Sequence, residues 1–198
     1  MLRTLFTAAT AVLLSLSMAT AQDGKILDMV QGDANAKVEI IEYASFTCPH
    51  CATFHAGPYK DLKADYIDTG KVKFVFREVY FDRYGLWSSM IARCAGPDRF
   101  FGMTDLIFKE QSLWSRAGDP AAIVAELRKL GLKGGMSDET LDACLEDADN
   151  AQALVAWYQE NAERDNVRST PSFLINGEPY ANMNYAEMSA IIEEKLAE

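Results

Sequence analysis

Histidine is scarce in this chain and positive charge is outnumbered by negative, and each shortage excludes a class of function. Only 2 histidines accompany 4 cysteines in 198 residues. Both of them, His50 and His55, fall in one short stretch with Cys48 and Cys51. A structural zinc site draws its ligands as two pairs separated by a longer loop, and four candidates at one helix start do not readily surround a tetrahedral ion. No metal or other cofactor is therefore expected. Lysine and arginine number 19 against 29 acidic residues, a formal charge of −10 at pH 7. That balance repels phosphate backbones and anionic lipid headgroups alike, so nucleic acid is not an expected partner. Internal repeats and low-complexity tracts are missing too, which sets aside solenoids and biased linkers.

Long apolar runs are limited to one, from Leu5 to Met18. It is interrupted by threonine and serine and is shorter than the roughly 20 apolar residues that span a bilayer. With Arg3 before it and the small residues Ala19-Thr20-Ala21 after it, residues 1–21 read as a removable secretory signal. Losing Arg3 alone takes the formal charge from −10 to −11. The remainder, 49 % hydrophobic and 11 % aromatic over the full sequence, suits one globular unit with a sizeable core. Outside the cytosol an even set of cysteines can form disulfides that persist.

Period-two spacing over Lys37 to Ala44 predicts a strand with Val38, Ile40, Glu42 and Ala44 on one face. Ser45-Phe46-Thr47-Cys48-Pro49-His50-Cys51 follows, and then a helical pattern with Phe54, Leu62 and Tyr66 on one side. Pro49 suits the first turn of that helix, where its missing N–H is no loss. Gly57-Pro58 should interrupt it midway. Val72 to Val79 is nearly continuous in apolar residues, the pattern of a strand buried on both faces.

From about Arg83 to Val167 only helices are signalled. Trp87, Met90, Ile91 and Cys94 mark the first, and Phe100, Met103 and Ile107 the second. Asp119-Pro120 opens a third, carrying Ile123, Leu127 and Leu130 up to Gly131 and the Gly134-Gly135 break. Ser137 can cap a short helix bearing Leu141, Cys144 and Leu145, and a longer helix runs from Asn150 past Trp157. Strand character then returns at Ser172 to Ile175, Asn176-Gly177 makes a hairpin turn, and Tyr180 lies on the returning strand. Asn184 and Glu187 form a capping-box pattern for a last amphipathic helix.

The chemistry concentrates at Cys48 and Cys51. A C-x-x-C between a strand and a helix puts the first thiol at the helix's positive end, where free N–H groups stabilise a thiolate. The second thiol, a turn deeper, can attack a mixed disulfide on the first. His50 offers a further donor or positive charge, whereas His55 reads as an ordinary helix residue. A helix terminus and one charge-assisted hydrogen bond, together a few kcal/mol at about 2 and about 1.5–3, hold Cys48 well below the ordinary thiol range. A structural disulfide or a metal site are the competing readings of the pair, and the strand-to-helix placement favours redox chemistry.

With Cys48-Pro49-His50-Cys51 after the Val38 to Ala44 strand, the chain resembles the DsbA family of periplasmic thiol oxidases over nearly all of its mature length. The resemblance implies an α/β, thioredoxin-like fold with an inserted all-helical domain: residues 22–82 and 165–198 as one discontinuous domain, and 83–164 as the insertion. It implies Cys48 as exposed nucleophile, Cys51 as buried partner, His50 as tuning residue and Glu42 as a buried acid beneath the site. Thr170-Pro171 falls where the family has its cis-proline. Cys94 and Cys144, in the insertion, resemble the second, non-catalytic disulfide of some relatives, and each sits on the apolar stripe of its own helix. Reduced or unfolded exported proteins would be the substrates, and a DsbB-type membrane oxidase the reoxidant. A reductase or isomerase on the same scaffold, or a metal-binding protein, remain the alternatives.

Overall fold

A computed structural model describes residues 26–198. The expected signal, 1–21, lies outside the described residues. The first element is a short strand that the sequence pattern had not suggested, β1 (Met29–Gln31), followed by β2 (Val38–Ala44), α1 (Pro49–Ala56) and α2 (Pro58–Leu62). Gly57 and Pro58 divide α1 from α2 as their backbone chemistry requires, and α2 runs on through a π-helical turn, Lys63–Ile67. Next comes β3 (Val72–Glu78), and after the helices of the insertion come β4 (Ser172–Ile175), β5 (Glu178–Ala181) and α9 (Tyr185–Ala197).

The five strands form one sheet in the order β1-β3-β2-β4-β5. Only β2 and β3 run parallel. Val38, Ile40, Glu42 and Ala44, which the spacing puts on one face, are all buried. β3 departs from the expectation of two apolar faces. Val72, Phe74, Phe76 and Glu78 are buried on one side, but Lys73 and Arg77 on the other are only partly covered. They are accommodated by ion pairs, Lys73 with Glu39 at 2.6 Å and Arg77 with Asp28 at 2.8 Å.

Between β3 and β4 lie α3 (Arg83–Cys94), α4 (Pro97–Lys109), α5 (Gln111–Trp114), α6 (Pro120–Lys133), α7 (Asp138–Glu146) and α8 (Ala148–Arg164). The sequence cues for their starts act as expected: Asp119 accepts from Ala122 N, and Ser137 from Thr140 N. Gly131 does not end its helix. It lies buried within α6, and a Cβ there would collide with the Leu141 side chain, so its bareness lets α7 pack close. Glu78, at the end of β3, holds Arg93 of α3 through two hydrogen bonds of 2.6 Å and joins sheet to insertion. Cys94 and Cys144 are bonded to each other, tying α3 to α7 with their Cα atoms 6.2 Å apart. After β4, Asn176 and Gly177 take positive φ values of 47° and 82° in the hairpin turn, which asparagine and glycine adopt at least cost. Asn184 and Glu187 complete the capping box of α9. Among the described residues no helix is long and apolar enough to cross a membrane.

Candidate active site

The β2 strand delivers its C-terminal end into a tight turn, closed by Cys48 N–H donating to Ser45 O at 3.0 Å. Cys48 is the N-cap of α1, in extended conformation, and Pro49 takes the first helical position. The sulfur of Cys48 therefore meets the free N–H groups of the first turn. Its pKa is lowered from 9.0 to about 5, first by a hydrogen bond from the Cys51 thiol, then by the Thr170 side chain and the backbone N–H groups of Cys51 and His50, all against the opposing cost of burial. Cys51, 0 % exposed, is pushed far above the ordinary thiol range, first by burial, then by Cys48 and by the charge of Glu42. One thiol is thus ionised at neutral pH and its neighbour is held protonated. The two sulfurs are unbonded here.

Two expected features differ in detail. Cys48 is only 8 % exposed, not open to solvent. It is covered in part by the segment before β4, where its Sγ lies 3.4 Å from Thr170 O. His50 contributes its backbone N–H to the sulfur, while its exposed side chain lines a shallow groove with Thr53, Pro58, Met183 and Asn184. Thr170-Pro171 is a cis peptide, with Pro171 buried and Thr170 half-buried beside Cys48.

Glu42 is 0 % exposed, midway along the central strand between Phe76 and Phe173. Its Oε2 lies 2.8 Å from His55 Nε2, and its Oε1 has no hydrogen-bond partner among the described residues. Sequence reasoning missed His55, which is buried. The available signal was its position four residues after Cys51, which places both on one face of α1. Gln111 was also missed. From α5 its Nε2 donates to Phe46 O at 2.8 Å and Cys48 O at 2.9 Å, binding the insertion to the redox turn. Nothing local in the sequence marks it, because the contact spans more than sixty positions, 65 in one case and 63 in the other. Among the described residues no group of three or more His, Cys, Asp or Glu side chains is placed to hold a metal ion.

Comparison with known proteins agrees with this arrangement. A thioredoxin family model matches residues 25–194. A Rickettsia bellii protein provisionally named a protein-disulfide oxidoreductase is 34 % identical over 172 residues, covering 86 % of this chain and 65 % of its own length. A Rickettsia felis relative is covered over 61 % of its length, so the chain spans under two thirds of these curated relatives. Among solved structures, alpha-DsbA1 of Wolbachia pipientis superposes with a TM-score of 0.79 at 23 % identity, over 86 % of this chain and 91 % of that one. A protein-disulfide isomerase of Novosphingobium aromaticivorans gives a TM-score of 0.77 at 28 % identity, over 87 % of this chain and 100 % of that one. With its redox-type turn, its five-strand sheet and a second disulfide inside a helical insertion, the chain belongs to the thioredoxin family as a DsbA-like member.

Proposed function

We propose that this protein is an exported thiol:disulfide oxidoreductase that donates the Cys48–Cys51 disulfide to newly exported proteins. The observation that carries the reading is the asymmetry of the pair: Cys48 at a helix start with its pKa lowered to about 5, Cys51 buried beneath it and held protonated. In the oxidised protein a substrate thiolate attacks Cys48 Sγ, and the bond to Cys51 breaks with the electron pair leaving on Cys51. A buried thiolate is costly, so Cys51 takes a proton, and Glu42, buried and near enough to act on Cys51, is in its carboxylic acid form the group placed to give one. The substrate's second thiolate then attacks its own sulfur in the mixed disulfide and expels Cys48 as a stabilised thiolate. Substrate is oxidised by two electrons and the pair reduced by two. A good leaving group at Cys48 favours donation over capture.

Thr170 and Pro171, against Cys48, are suited to lie beside the substrate strand during this exchange. The bonded Cys94–Cys144 pair favours an oxidising compartment, in keeping with a signal at 1–21. A membrane oxidase of the DsbB type would restore the disulfide. The name of the Novosphingobium relative favours a second reading, isomerisation on the same scaffold.

The deciding experiment is redox titration of Cys48–Cys51 against glutathione, paired with oxidation of a reduced, unfolded protein. A potential less negative than about −180 mV with rapid disulfide transfer is expected of a donor. A value near about −270 mV, the thioredoxin range, would assign a reductase instead. Faster reshuffling of scrambled disulfides than oxidation of thiols would assign an isomerase.

A further inference from the structure

The exchange chemistry above uses the Glu42 carboxyl, and one of its oxygens also meets His55. Glu42 Oε2 is 2.8 Å from His55 Nε2, which is the one side-chain hydrogen bond of His55 among the described residues. Both residues are buried, His55 at 2 % exposure. The imidazole is fixed in place, stacked on Phe108 at 4.4 Å between ring centroids, tilted against Tyr59 at 4.5 Å and edge-on to Phe76 at 5.7 Å. Yet His55 is also one of the residues that line a groove of about 600 Å³ between α1, α2, α4 and α5, together with Pro49, Lys60, Asp105, Phe108 and Gln111. His55 thus lies between a buried carboxyl and this groove.

We propose that His55 is the conduit that carries protons between Glu42 and the solvent of the α1–α4 groove, acting on Cys51 through Glu42. The inference rests on the oxidoreductase reading and deepens it. A carboxyl sealed in a core can give or take one proton, but repeated turnover requires that it be recharged. An imidazole suits that task because it takes a proton on one ring nitrogen and releases one from the other. During reoxidation the Cys51 S–H bond breaks and its proton is taken up by the Glu42 carboxylate; the carboxylic acid so formed gives that proton from Oε2 to His55 Nε2, and Nδ1 releases one to groove water. The Cys51 thiolate then attacks Cys48 Sγ in a mixed disulfide, the Sγ–Sγ bond forms, and the partner sulfur leaves with the electron pair. Reduction reverses every transfer.

The charges around the ring are Glu42 from β2, Cys51 on its own helix, Tyr59 and Lys60 from α2, and Asp105 and Lys109 from α4. Lys60 and Asp105 pair with each other across the groove. Glu42 is therefore the one acid in hydrogen-bond contact with the ring.

The test follows closure of a glutathione mixed disulfide on Cys48 by Cys51 across pH. His55→Gln retains a donor for Glu42 but cannot relay, and His55→Ala opens the ring's space to the groove. Both variants are expected to slow closure by about a hundredfold or more, the scale of acid–base contributions, while the Cys48 thiolate midpoint stays in place. Free imidazole should restore the rate of His55→Ala in proportion to its concentration. Closure at the wild-type rate in both variants, or slowing that imidazole does not relieve, overturns the conduit. Nitrogen NMR of the wild-type protein provides a second arm that needs no variant. The His55 ring signals should differ between oxidised and reduced forms at fixed pH, and identical signals overturn the proposal. A wild-type protein that fails to exchange with glutathione at all would instead remove the oxidoreductase reading, so the two failures are distinguishable.

Discussion

Cys48 and Cys51 have the same side chain, and only their places on α1 make them different reagents. The sulfur of Cys48 meets the Cys51 thiol, Thr170 and two backbone N–H groups, and its pKa falls to about 5, whereas burial drives that of Cys51 upward. Because the native value is depressed, the thiolate stabilises the reduced fold fully above the ordinary 9.0, and this stabilisation is lost as pH falls through about 5. The disulfide form has no thiol to titrate. The potential of the couple should therefore fall by about 60 mV per pH unit below the Cys48 midpoint, where two protons are taken up, and by about 30 mV above it, where one is. Thiolate absorbance of the reduced protein should show that midpoint near 5. A single slope of about 60 mV from pH 4 to about 8 would show that Cys48 is an ordinary thiol. At this scale the redox pair was legible from a short motif, whereas the period of two placed Glu42 on the apolar face of its strand and the expectation of its burial came from the family resemblance. The contact of buried His55 with Glu42 was not legible, since it depends on the strand beneath its helix, which local spacing does not encode.

Elements were legible where backbone chemistry marks their ends. Asp119-Pro120, Ser137 and the Asn184-Glu187 box start helices where the sequence places them, and Gly57-Pro58 divides one. β1 was not legible, because its partner, residues 74–76 of β3, lies far along the chain and three residues are too few for a periodic signal. Nor was α5, a single turn whose value lies in Gln111. This side chain is buried and donates to the carbonyls of Phe46 and Cys48. Cys48 O also accepts from Ala52 N, but Phe46 O has no other partner among the described residues. Gln111→Ala should therefore lower unfolding stability by about 2 kcal/mol, as expected for a buried carbonyl left unpaired. Denaturant unfolding of the reduced protein measures it, and a loss below about 0.5 kcal/mol would show that α5 does not brace the redox turn.

At the scale of the whole molecule the insertion has to be held both to itself and to the sheet. The Glu78–Arg93 pair performs the second task, and the Cys94–Cys144 bond the first. The bond spans 50 positions of sequence, so it restrains the unfolded chain across most of the insertion. In the chain-entropy model a loop of that length contributes about 4 kcal/mol. Replacing both residues, Cys94→Ala with Cys144→Ala, should lower the unfolding free energy by about 2–4 kcal/mol while the Cys48 thiolate midpoint stays near 5, because every group that sets that midpoint lies on α1 or before β4. The two disulfides should also open in a fixed order under graded reduction. The active pair has a stabilised thiolate as its leaving group and opens first, whereas the α3–α7 bond joins a nearly buried Cys144 to a half-buried Cys94 and expels no such thiolate. Mass mapping of thiols trapped at successive reductant concentrations distinguishes them. Labelling of Cys94 and Cys144 before Cys48, or unchanged stability in the double variant, would show that the insertion is held together by its apolar packing alone.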